Sequence, residues 1–101
     1  MTETITTPRV TEEVKVARPR LHKVILLNDD YTPRAFVVRV LKAEFGMGEG
    51  TAQGVMLTAH RLGACVVAVF TKEVAEEKAR RATEAARTEG YPLTFTTEPE
   101  E

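Results

Sequence analysis

Tryptophan is absent from this 101-residue sequence, cysteine occurs once and histidine twice. A single thiol excludes an internal disulfide, and with two histidines it leaves few ligands for a structural zinc site. An excess of one charge is missing too, since 14 Lys and Arg face 15 Asp and Glu. Broad nucleic-acid binding needs a clustered basic surface to displace counterions from phosphates, so no nucleic-acid partner is expected. No stretch approaches the roughly 18 apolar residues that span a bilayer, so no membrane role is expected. The polar N-terminus has no apolar core of a signal peptide, and a cytoplasmic location is expected. The remaining composition, 43% hydrophobic and 29% charged, suits one small domain with no room for a second independent core.

Residues 1–20 mix Thr, Glu, Arg and Pro, with Val and Ile at no regular spacing. Too little apolar surface is present to offset the entropy of ordering them, so they are expected to form a flexible extension. A folded domain is expected over 21–97 and an acidic tail over 98–101. Lys23–Leu27 reads as a strand ended by the turn-formers Asn28, Asp29 and Asp30. Thr32 looks like an N-cap, with Pro33 at the first helical position. Phe36, Val37, Val40, Leu41 and Phe45 then follow at helical spacing up to Gly46. A second stripe, Ala52, Val55, Met56, Ala59 and Leu62, closes at Gly63. Ala64–Phe70 reads as a second, more buried strand, after which Thr71 is placed to cap a third helix running to about Glu89. The apolar face of that helix, Val74, Ala75, Ala79, Ala82 and Ala86, is mostly alanine, so it should lie close to its support. Leu93–Thr96 alternates as a third strand. The order β-α-α-β-α-β predicts an α+β two-layer sandwich, three helices against a small sheet.

Polar chemistry concentrates in Asn28-Asp29-Asp30-Tyr31-Thr32-Pro33, where a strand meets a helix. Its plainer reading is turn chemistry, because Asn and Asp side chains satisfy turn amides. Three acceptor-rich side chains in a row nevertheless exceed what one turn needs. His60 falls on the second helix, four residues after Met56, and its plainer reading is a satisfied boundary residue. Cys65, mid-strand among Ala and Val, reads as an inert small hydrophobe. Two chemistries remain open for the cluster with His60. One is a small metal-dependent hydrolase using Asp29, Asp30 and His60, although no HExxH, nucleophile elbow or phosphate-cradling loop accompanies it. The other is a receptor for a cation with several N–H donors, such as an ammonium, held by charge-assisted bonds.

Over about residues 20–97 the chain resembles the ClpS adaptor family. The likeness rests on Lys23-Val24-Ile25-Leu26-Leu27-Asn28-Asp29-Asp30-Tyr31-Thr32-Pro33 and, further on, Met56-Leu57-Thr58-Ala59-His60. Thr71-Lys72-Glu73-Val74-Ala75-Glu76-Glu77-Lys78 and Pro92-Leu93 follow in the matching order. The resemblance implies three helices on a three-stranded antiparallel sheet. It implies an adaptor for N-degrons, proteins whose first residue is Leu, Phe, Tyr or Trp, delivered to the ClpA unfoldase for degradation by ClpP. Asn28, Asp29 and His60 would hold the substrate's α-ammonium, and Asp30 and Thr32 would complete a polar rim. Leu26, Arg34, Val37, Met56, Ala59 and Leu93 would line the side-chain pocket, while Glu73 and Lys78 would dock on the unfoldase's N-terminal domain. No catalytic residue, metal or cofactor is implied, and a monomer is expected. A ribosomal-stalk-like interaction domain is the remaining alternative, and it would need no Asn-Asp-Asp plus His constellation.

Two positions depart from the family pattern and suggest a divergent paralogue. Arg34 stands where the family usually has a methionine that guards against β-branched first residues, and Ala59 stands where valine is frequent. An arginine can lay its stem on the pocket and lift its head into water. Its charge should favour acidic over basic second residues. Arg34→Met is therefore expected to reorder the affinities of peptides starting with Leu, Phe, Tyr, Trp, Ile and Val. Fluorescence anisotropy checks this, and an unchanged ranking contradicts it.

Overall fold

The structure is a computed structural model, and it describes residues 19–100. The expected extension over 1–20 lies outside the described residues apart from its last two. β1 (Leu21–Leu27) forms the centre of a three-stranded antiparallel sheet of order β2-β1-β3, flanked by β2 (Ala64–Thr71) and β3 (Thr94–Pro99). Between the strands run α1 (Arg34–Phe45), α2 (Glu49–Leu62) and α3 (Lys72–Thr88). The order and the α+β class are those read from the sequence.

α3 packs on β1 and β3, α2 packs on β2, and α1 packs against both helices. One buried cluster joins them: Val24, Leu26 and Phe95 from the sheet meet Phe36, Val40 and Leu41 of α1 and Ala52, Met56 and Ala59 of α2. Ala75, Ala79, Ala82 and Ala86 form a fully covered stripe along α3. Methyl groups at that spacing let the helix backbone settle close to the strands, as the sequence pattern implied. Thr83 ties the layers, taking the Phe95 N–H on its hydroxyl oxygen at 2.9 Å.

Several sequence expectations shift. β2 was expected to be the more buried strand, yet none of its residues is fully buried and Val66 is 47% exposed. Its β-branched run suits either a central or an edge strand, and topology puts it at the edge, where one face stays open. A bulge also interrupts it: Val24 pairs with Ala68 and Ile25 with Val66, leaving Val67 extra. Leu62 is 77% exposed, because the buried stripe of α2 ends at Ala59 and nothing among the described residues covers the last turn. Val74 is exposed as well, about 100° round the helix from Ala75. Thr71 takes the N-cap position of α3 without a side-chain capping bond. β3 continues to Pro99, with Glu98 opposite Lys23 and Pro99 opposite His22, so the first half of the expected acidic tail is strand. Alternation had marked only 93–96, because Glu98 and Pro99 break the apolar pattern on an edge strand where charge and proline are tolerated.

The burial pattern separates two substitutions of similar chemistry. Leu41→Ala, at a fully covered site, is expected to cost about 2–5 kcal/mol, whereas Val74→Ala should stay within about 0.5 kcal/mol. Thermal and urea unfolding measure both, and comparable losses would contradict the packing described.

Candidate functional site

Beyond Leu27 the chain bends sharply, and one carboxylate holds the bend. Asp29 Oδ1 accepts the Tyr31 and Thr32 N–H groups at 2.8 Å each, and Oδ2 accepts the Thr32 hydroxyl at 3.0 Å. The plainer reading of Asp29 as a turn residue is thus realised in full. The Thr32 hydroxyl donates to Asp29, and Thr32 does not cap the helix. Pro33 occupies the N-cap and Arg34 is the first helical residue, one position later than expected. The Pro33 carbonyl accepts the Phe36 and Val37 N–H groups at 3.0 and 3.2 Å.

The bend is also fastened across the fold. Asn28 N–H donates to the Gly63 carbonyl at 3.0 Å, and Gly63 N–H donates to the Ala59 carbonyl at 2.8 Å. Gly63 ends α2 at φ 93°, a left-handed conformation that a residue with a Cβ adopts only under strain. This fastening places His60, in the last turn of α2, across from the start of α1. From the third side Arg87 donates to the Leu93 carbonyl at 2.7 Å and the Tyr91 carbonyl at 3.0 Å, setting Leu93 beneath the bend.

These elements surround a cavity of about 350 Å³, at the small end of the roughly 300–1,000 Å³ typical of small-molecule sites. Its floor is Leu26, Val37, Met56, Ala59 and Leu93, all buried. Its rim carries Asn28, Asp29, Asp30, Thr32, Arg34 and His60. All eleven residues that the family resemblance assigned to ammonium, rim and side-chain pocket therefore line one cavity. Leu27, Tyr31 and Pro33 also line it and were not anticipated. Tyr31 is 83% exposed, and its position inside the polar string was the one signal for it. Nothing in the sequence announced that Arg34 Nη2 lies 3.0 Å from His60 Nε2. A guanidinium only donates, so Nε2 is the acceptor and the neutral imidazole carries its proton on Nδ1.

A floor of hydrocarbon under a rim of acceptors suits a ligand with an oily group beside a cationic donor. On the rim the Thr32 hydroxyl donates to the Asp29 carboxylate that holds the turn, and His60 faces Arg34. Cys65 lies outside the cavity lining, burial pushes its thiol pKa up, and its sulfur donates to the Val66 carbonyl at 3.4 Å. Among the described residues no three His, Cys, Asp or Glu side chains are grouped to hold a metal ion.

Glu73 and Lys78 lie on α3 and do not line the cavity. Glu73 is exposed in the first turn, beside Arg20, His22 and Pro99. Lys78 is half-buried: its ammonium donates to the Glu44 carbonyl at 3.0 Å and stands 6.0 Å from the Phe70 ring centre. It therefore ties α3 to the end of α1, a role its place in a charged helix did not disclose.

Residues 17–96 match the family model described as ATP-dependent Clp protease adaptor protein ClpS. The chain is 65% identical over 101 residues to the ClpS 1 adapter of Bradyrhizobium diazoefficiens, covering all of both chains. It is 71% identical over 89 residues to ClpS 1 of Rhodopseudomonas palustris, covering 88% of this chain and 86% of that one. Among solved structures, Agrobacterium tumefaciens ClpS2 bound to L-phenylalaninamide superposes with a TM-score of 0.81 at 59% identity. That match covers 82% of this chain and all of the other. Neither a metal-dependent hydrolase nor a ribosomal-stalk-like domain is the family matched.

The three bonds to Asp29 give its substitution a structural cost. Asp29→Ala leaves two turn amides and a hydroxyl without their acceptor and should lower stability by about 1–2 kcal/mol. Asp29→Asn keeps one oxygen for the amides and should lose less. Urea denaturation checks the order, and an alanine variant as stable as the parent contradicts it.

Proposed function

This chain belongs to the ClpS family of ATP-dependent Clp protease adaptors, and on that premise we propose that it captures N-degrons and passes them to the ClpA unfoldase in the cytoplasm. The observation carrying this reading is the joining of an apolar floor and an acceptor-rich rim in one cavity of about 350 Å³. A substrate beginning with Leu, Phe, Tyr or Trp places its first side chain on Leu26, Val37, Met56, Ala59 and Leu93. Its α-ammonium reaches the Asn28 carboxamide oxygen, the Asp29 carboxylate and the acceptor nitrogen of His60. Asp29 still has about one acceptor site for this, because a carboxylate offers about four and the turn uses three of them. Asp30 and Thr32 flank the departing peptide backbone.

L-phenylalaninamide, the ligand of the Agrobacterium relative, carries both recognised features, a free amine and a bulky apolar side chain. An internal leucine has the second without the first. Each charge-assisted bond to the amine contributes about 1.5–3 kcal/mol before immobilisation costs, so neither half holds a substrate alone. Catalysis plays no part, as befits an adaptor. Delivery falls to the opposite end of the fold. The Glu73 carboxylate is exposed for an unfoldase surface, and Lys78 keeps two ammonium protons beyond the one given to Glu44. ClpP then receives the unfolded chain from ClpA, with this protein acting as a monomer.

His60→Ala is expected to weaken binding of a Leu-initiated peptide at least tenfold while the melting temperature stays within about 2 °C of the parent, since His60 is exposed. Glu73→Lys should leave peptide affinity intact and slow degradation of the same substrate by reconstituted ClpA and ClpP. Anisotropy and a degradation assay measure these. Retained affinity in the first variant, or undiminished delivery in the second, contradicts the corresponding assignment.

A further inference from the structure

The Arg34–His60 contact bears on how the site opens. A neutral imidazole has two ring nitrogens but one bare lone pair, the other nitrogen carrying the proton. Arg34 Nη2 lies 3.0 Å from Nε2, so that lone pair is already in use. A substrate's ammonium, like a guanidinium, has donors only. Were it to approach Nε2, it would meet Arg34 there. Approach to Nδ1 would require the ring proton to move to Nε2, which would then face the guanidinium donor to donor. A doubly protonated ring accepts from neither. The two cations are mutually exclusive on His60 whichever nitrogen the substrate uses.

We propose that Arg34 is a displaceable latch: its guanidinium occupies the acceptor of His60, and the α-ammonium of an incoming chain must expel it. This rests on the function proposed above and adds a competitor to it. The latch is weakly held. It is a single exposed bond to a neutral partner, and Arg34 is the first residue of α1, where the partial positive charge of the helix end disfavours a cation. Its aliphatic stem lets the head swing while the Cα stays in place. Asp30, exposed on the same rim, offers a carboxylate to receive it, and so does an acidic side chain just behind the first residue of a substrate. The exchange makes capture depend on a true ammonium, since a chain start without one leaves Arg34 on His60.

A double-mutant cycle tests this with a Leu-initiated free-amine peptide and four proteins: the parent, Arg34→Met, His60→Ala and the double variant. Removing the latch from the parent should tighten binding about three- to tenfold, equal to roughly 0.6–1.4 kcal/mol. In the His60→Ala background, with no lone pair to contest, the same change should gain less than twofold. Equal gains in both backgrounds, or no gain in the parent, overturn the latch. Failure of all four well-folded proteins to bind overturns the N-degron reading and the latch with it. Should His60→Ala bind too weakly to compare, nuclear Overhauser contacts between the Arg34 guanidinium and the His60 ring decide. They should be present in the free protein and vanish at saturation with leucinamide, and their persistence overturns the proposal.

Discussion

The Asp29 carboxylate accepts three hydrogen bonds from Tyr31 and Thr32, two and three residues further along the bend, and the cavity rim hangs from that turn. Without it the chain leaving β1 has no reason to reverse tightly enough to bring Asn28 and Asp30 over Leu26. The Thr32 hydroxyl is turned to the same carboxylate, and α1 starts two residues on, at Arg34. Arg34, the first residue of that helix, lies across the cavity from His60, its Nη2 3.0 Å from Nε2. The turn therefore sets both the acceptors of the site and the cation that contests them.

Much of this was legible in the residues. Helical spacing of Phe36, Val37, Val40 and Leu41, and the alanine stripe of α3, follow from burial needs that act locally. The polar string and His60 stood out as chemistry, and family resemblance joined them to the floor residues. Other features were not legible, because they depend on which elements become neighbours. β2 carries the composition of an inner strand but sits at the sheet edge, a fact decided by strand order. Glu98 and Pro99 read as tail because an edge strand tolerates residues that a central one rejects. Lys78 looked like one charge among many, yet it reaches a carbonyl 34 positions away in the sequence, at Glu44.

Asp29 shows why structural and functional readings need not compete. A carboxylate has more acceptor sites than one bend consumes, so a residue can hold a turn and still face a ligand. His60 shows the opposite case, a group whose capacity is a single lone pair. A site that asks one neutral imidazole to serve two cations has exchange built into its opening, and the exchange is set by hydrogen-bond stoichiometry rather than by a moving loop.

The central claim is that an ammonium and an adjacent bulky side chain are gripped together. Four peptides of otherwise identical sequence test it most directly by anisotropy: Leu-initiated or Ala-initiated, each with a free or an acetylated amine. The account predicts measurable affinity for the free-amine Leu peptide alone, with each single change costing at least tenfold. Equal binding of the acetylated and free Leu peptides would contradict it.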